Sequence, residues 1–380
     1  MTRLVRLLAL VLLLAASIPA LAFDGITLPP SGDNFPASIS QGVGPVRVTI
    51  EYSSPRVVRG TNDRRGKVWG ELVPWGMTDL GFNNCKDCPW RAGANENTTF
   101  AVNYAVKVQG QPLAAGKYGL HMIPGQDEWT IIFSKDSDAW GSFWYDPKLD
   151  VLRVKTKASK NDYHEWLTYE FIEREPKKAT VALEWEDLKI PFTVTVDNAM
   201  DLWADNVRQE LRGSAGFFWQ NWDMAANFCA QNKVNLAEGL TWAERAVSDQ
   251  TWVGGVENFT TLSTLSRLQS ANGKEQEAAK TFEKAINHPT ATPIQIHGAG
   301  RQLLTDGKKE EAMRVFQLNA KRFPNQWPVH VGLMRGYSAM GDTKKALAEA
   351  KLAVVQAPDA GNKKNLENMI KLLEQGKDVN

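Results

Sequence analysis

Between Val46 and Val196 apolar and polar positions alternate with a period of two, the mark of strands with one buried face. Val46, Val48 and Ile50 stand against Arg47, Thr49 and Glu51. The same reading places further strands at 67–73, 99–108, 118–123, 129–133, 151–155, 166–172, 179–185 and 189–196, each rich in Val, Ile, Thr or aromatic residues. Turn chemistry bounds them, as in Gly110-Gln111-Pro112, Ala115-Gly116, Pro124-Gly125 and Glu175-Pro176. No helical period intervenes, so a parallel sheet with crossover helices is ruled out. The pattern predicts an antiparallel β-sandwich, jelly-roll-like, over 45–197.

From Asn198 the period becomes 3.6 residues and stays there, giving helices of ordinary length. Gly273-Lys274 is followed by Ala278 and Phe282, Gly307-Lys308 by Ala312 and Phe316, and Gly341-Asp342 by Ala346 and Ala350. The three glycines are spaced by 34 residues, and Pro324 to Pro358 repeats the step. That period resembles the tetratricopeptide repeat, in which small residues let two antiparallel helices pack closely. It predicts three repeats over 256–357, with Ala350 standing where the repeat pattern expects Phe. A helical connection at 198–255 holds a degenerate repeat around Trp242, and residues 358–380 supply a capping helix and tail. The fold class is therefore multidomain β + α, a β-sandwich followed by a tetratricopeptide-like α-solenoid.

The first residues carry Arg3 and Arg6, an apolar run from Leu7 to Ala16, and Ala20-Leu21-Ala22. This is the layout of a secretory signal over 1–22 with cleavage after Ala22, and it predicts a periplasmic or secreted protein. Residues 23–44, with Pro29, Pro30, Gly32 and Pro36, read as an extended N-terminal arm. No later apolar run reaches the roughly 20 residues of a membrane span. The chain has 44 basic and 43 acidic residues, and loss of Arg3 and Arg6 leaves 42 against 43. Such a balance gives no reason to expect nucleic acid as a partner.

Export also changes the reading of the cysteines. Cys85-Lys86-Asp87-Cys88 is spaced to close a small disulfide loop, with free thiols or a metal or redox pair as the alternatives. A zinc site needs two more ligands, and no second Cys pair or paired His motif supplies them. No metal and no cofactor is expected, and Cys229 reads as a buried thiol.

The richest polar stretch is Trp90-Arg91-Ala92-Gly93-Ala94-Asn95-Glu96-Asn97-Thr98-Thr99. Arg91 and Glu96 flank Gly93, so a turn there would let a guanidinium fork meet a carboxylate. Such a pair is either a structural strut completed by Asn95 and Thr98, or one side of a site. In the binding reading, Arg91, Asn95 and Glu96 give fixed polar contacts. Trp90 and Trp140, in turn-like contexts, give an aromatic face, and His121 lies on a neighbouring strand. The ligand class would be a small molecule or glycan, while the helical repeats take a protein or peptide. The alternative is a hydrolase with Glu96 as general acid/base and Arg91 as electrostatic stabiliser. Neither a Gly-x-Ser-x-Gly elbow nor a phosphate-binding glycine loop is present, so the balance leans away from an enzyme.

Several segments together are similar to a bacterial exported family, domain of unknown function 2911. They are Gly70-Glu71-Leu72-Val73-Pro74-Trp75, the Trp90 to Thr98 run, Ala115-Gly116-Lys117-Tyr118-Gly119-Leu120, Ile123-Pro124, Glu128 to Phe133, Trp140-Gly141 and Asp150 to Val154. The resemblance spans about 45–197 and implies export and a following helical region, but no activity. In the usual pattern a Leu-Val-Pro-Tyr strand runs almost directly into Trp-Arg. Here Trp75 replaces the Tyr and the Cys-bearing loop is inserted.

Overall fold

The structure is a computed structural model that describes residues 34–82, 85–248 and 254–380. The signal segment expected at 1–22, and the arm up to residue 33, lie outside the described residues. The chain divides into two compact units, one ending at Asp197 and one beginning at Asn198.

The first unit is built from two open antiparallel sheets. Strands β1 (Phe35–Val43), β2 (Val46–Ser54), β5 (Ala94–Val102), β8 (Gly116–Ile123), β9 (Trp129–Ser134) and β10 (Asp150–Thr156) form a six-stranded sheet in that spatial order. Strands β11 (Ser159–Glu175), β12 (Lys178–Thr195), β6 (Val106–Val108) and β7 (Gln111–Leu113) form a four-stranded one, and β3 (Val58–Arg59) pairs with β4 (Asn62–Asp63). The sheets meet through aromatic side chains: the rings of Phe100 and Phe133 lie 6.1 and 6.2 Å from that of Phe192 on β12. Alternation explains why, since Val46, Val48 and Ile50 are all buried on one face of β2 while Arg47 and Glu51 are exposed.

Three local expectations change. Residues 35–43, read as part of an arm, are the edge strand β1, paired along its length with β2 from Phe35–Ser54 to Val43–Val46. Residues 67–73, read as a strand, form a compact turn in which Leu72 and Val73 donate to the carbonyls of Lys67 and Val68. Gly66 and Gly70, at φ +69° and +91°, make the turn, and Trp69 is thereby carried to within 5.4–5.8 Å of the rings of Trp90, Trp129 and Trp185. Burial of the indole outweighs the local strand preference of the β-branched residues. Last, the two strands read at 179–185 and 189–196 are one, because Glu186 takes φ +52° opposite a shift in the β11 register and keeps the strand going.

Among the described residues the second unit holds ten α-helices: α1 (Ala199–Glu210), α2 (Trp219–Asn232), α3 (Leu236–Val247), α4 (Phe259–Ala271), α5 (Glu275–Asn287), α6 (Pro293–Thr305), α7 (Lys309–Arg322), α8 (Trp327–Ala339), α9 (Thr343–Val355) and α10 (Ala360–Glu374). The starts of α4, α6 and α8, and those of α5, α7 and α9, each step by 34 residues. Gly273, Gly307 and Gly341 end the first helix of each pair at φ +77° to +79°, the left-handed turn that a β-carbon disfavours. Leu366 and Leu373 of α10 bury against Met334, Ala346 and Ala350, closing the last repeat.

Candidate functional site

Trp90 is pinned to β8 by paired backbone bonds with Met122, both 2.8 Å, and this fixes where Arg91 begins. Beyond it the chain turns at Ala92 and Asn95, at φ +51° and +56°; Gly93 is not in the left-handed region. What Gly93 provides is closeness, since a β-carbon there would stand 2.6 Å from Thr98 Oγ1 and 3.2 Å from the Ser53 carbonyl. The Ala92 carbonyl accepts from both Thr98 Oγ1 (3.1 Å) and Tyr169 Oη (2.9 Å), so the bend is tied to both sheets.

This geometry separates Arg91 from Glu96, and the bidentate pair expected from their spacing is not formed. The left-handed residue Asn95 rotates the following chain, and exposed Glu96 accepts instead from Ser53 Oγ at 3.0 Å. Arg91 Nη1 donates to the Asn95 carbonyl at 2.5 Å, and its guanidinium lies 4.9 Å from the Phe143 ring centroid. Gly141, at φ +62°, passes so close that a β-carbon there would overlap the guanidinium carbon. Burial lowers the Arg91 pKa, with Glu96 near enough to pull partly the other way.

His121 is buried behind this residue, with Nδ1 3.0 Å from Ser142 Oγ and its ring edge-on to Tyr145. Burial first, then Arg91, push its pKa down to about 4, so it is neutral at neutral pH. Asn95 Oδ1 accepts from Asn34 at 3.0 Å. Trp140 is 48% exposed and Trp90 packs at 6.3 Å from both Trp129 and Trp185, so the two do not form one aromatic face.

Arg91 and Trp90 line a cleft of about 350 Å³, with Leu72, Val73, Pro74 and Trp185 among its apolar walls and Arg59, Arg64 and Ser142 among its polar ones. Glu96 lines a different, shallower depression together with Glu51 and Lys117. Glu51 pairs with Lys117 at 2.9 Å, which first of all holds its pKa below the usual carboxylate range. The acid/base reading thus loses its geometry, because Glu96 and its assumed stabiliser open onto different surfaces. Arg59, Arg64, Gly141, Ser142 and Phe143 were not singled out from the sequence as site residues; the Trp140-Gly141 motif was their nearest sign. Among the described residues no group of three or more His, Cys, Asp or Glu is placed to hold a metal ion. Cys85 and Cys88 are juxtaposed as a disulfide with Cα atoms 5.6 Å apart, and Cys88 lies on the cleft wall.

Residues 35–194 match the family model described as Protein of unknown function (DUF2911). The match runs from the first residue of β1 to the last turns of β12, so the DUF2911 region contains both sheets and the cleft. Tetratricopeptide-like helical repeats follow it. Among solved structures, the chain is similar to a Podosopora anserina protein described as a kinesin light chain with nearly identical TPR-like repeats. That similarity is 17% in identity, covers 41% of this chain and 85% of the other, and has a TM-score of 0.30. No curated protein matches the chain.

In the helical unit a groove of about 490 Å³ runs between α4, α5 and α6. Ala278, Ala279, Gly298 and Ala299 supply small residues, Phe259, Phe282 and Leu303 larger apolar ones, and Arg267, Glu275 and Asp306 charges of both signs. No helix among the described residues is long and apolar enough to cross a membrane.

Proposed function

We propose that this chain is an exported binding or scaffold protein whose helical repeats take an extended peptide segment of a partner. The observation that carries this reading is Gly298. It sits in the middle of α6, where Gly costs about 1 kcal/mol relative to Ala, and a β-carbon added there would meet nothing within 4 Å. Nearby Gly300 has a packing reason, because a β-carbon there would collide with the Phe316 ring. Packing does not account for Gly298, which instead lines the open groove, where any side chain would take up space. A floor of small residues with apolar flanks and charges of both signs suits an extended chain with intermittent small side chains.

The test is to pan a random peptide library against the full chain and measure the selected peptides against wild type and Gly298→Trp. The substituted chain should fold with an unchanged or slightly raised melting temperature and bind at least about tenfold more weakly, since an indole would occupy much of the groove. Equal binding, or no peptide selected, would remove the reading.

Export is part of the same proposal, supported by the 1–22 signal pattern and the placement of Cys85 beside Cys88. Thiol titration of the denatured, exported protein should find one thiol, that of Cys229. Finding three would count against an oxidised pair.

A further inference from the structure

Arg91 is a partly buried guanidinium with no carboxylate within 4.0 Å among the described residues, Glu96 acting on it only from farther away. Buried charges are as a rule paired, because an unpaired one has lost its hydration with nothing in return. Here every group that positions the side chain is neutral: the Asn95 carbonyl, the Phe143 face, the Gly141 backbone, and His121 behind it. Only one of its five N–H groups has a partner among the described residues. The cleft that Arg91 lines carries two further arginines, Arg59 and Arg64, and no Asp or Glu among its described lining residues. Arg64 forms no ion pair among the described residues, so the cleft retains positive charge whatever Arg59 contacts.

We propose that this cleft binds a small oxyanion, a carboxylate or phosphate head carried on an apolar body. The head would lie against Arg91 and Arg64, whose planar forks match two oxygens of such a group. The body would lie along Leu72, Val73, Pro74 and Trp90. A volume of about 350 Å³ admits a small molecule and excludes a folded partner. Partial burial of Arg91 makes the interaction with an incoming anion stronger than it would be at the open surface. This site concerns another unit and another ligand class than the peptide groove, so the two stand or fall separately.

Full-length protein titrated with phenyl phosphate, benzoate, inorganic phosphate and the neutral isostere benzamide, followed by calorimetry and tryptophan fluorescence, decides the matter. At least one aromatic anion should bind about tenfold or more tightly than benzamide, and its affinity should fall as salt rises from about 50 to about 500 mM. Whether phenyl phosphate or benzoate binds more tightly identifies the head group. Arg91→Met should abolish the preference for the anion while leaving the melting temperature unchanged or raised, because it removes a partly buried charge that no ion pair within 4.0 Å holds among the described residues. Arg64→Gln, at a half-buried position, should weaken the anion several-fold with no change in folding. Failure of any probe to bind, benzamide binding as tightly as the anions, or anion affinity unchanged in Arg64→Gln together with loss of folding in Arg91→Met would each overturn the proposal.

Discussion

Two glycines, one in each unit, serve opposite purposes. Gly141 in the β unit is pressed against Arg91 and adopts a left-handed backbone; a β-carbon on Gly298 in the helical unit would meet nothing within 4 Å. In the first case a side chain is omitted so that another can be seated. In the second it is omitted so that space stays empty. The cleft is thus built around a fixed charge brought in by distant segments, whereas the groove is built by leaving side chains out of a regular helix. A site of the first kind is rigid and chemically selective. One of the second kind has shape but little directional chemistry, and fits a chain better than a head group.

The sharpest way to break the contrast is Gly141→Ala. Left-handed strain of about 1–2 kcal/mol and overlap with the guanidinium of about 1–3 kcal/mol together predict that the β unit loses about 2–5 kcal/mol, read as a lower urea midpoint for that unit alone. Anion binding should go with it. If stability is unchanged, Arg91 is not seated as described.

Acid tests what the units share. His121 and His297 are each buried, with pKa values pushed down to about 4 by burial and by nearby arginines, Arg91 for the first and Arg335 and Arg301 for the second. An unfolded His titrates near 6.5, so this stability is intact above about pH 6.5 and is lost as the pH falls toward 4. Each unit should lose about 2–3 kcal/mol between pH 7.5 and 4.5 from this group, measured by urea unfolding at both values. His121→Gln should flatten the dependence in the β unit only.

The smallest effect is the most specific. Gly298→Ala should stabilise the helical unit by up to about 1 kcal/mol, while Gly300→Ala should destabilise it, two positions away on the same helix. A loss in both would mean that Gly298 also has a packing role.

The helical unit was legible because each repeat encodes itself locally. Gly273, Gly307 and Gly341 mark the same backbone turn, and helix starts follow them at the same interval. Strands were legible where one face is buried, as in β2, and failed where an indole decided the path, as at Trp69. The Trp90 to Thr99 stretch was located from its residues, but its pairing was not. The left-handed residues are Ala92 and Asn95, and nothing in the alanine marks it as such, so the bend was assigned to Gly93 and the wrong side chains were brought together. The surroundings of Arg91 come from Gly141 to Phe143, far along the chain, and Arg64 joins it only as a lining residue of the same cleft, so no local pattern announces that convergence.

The ring of Phe316 on α7 lies where β-carbons on Gly300 of α6 and on Gly332 and Gly336 of α8 would crowd it. The approach of α6 and α8 to α7 is therefore set largely by the thickness of one aromatic plane, with Met313 sharing the contact at Gly336 and His297 at Gly332. A thinner or branched side chain at that position would alter how α6, α7 and α8 pack, and with it the shape of the proposed peptide groove that α6 borders. Evolution could in this way reshape that groove without changing any residue that lines it.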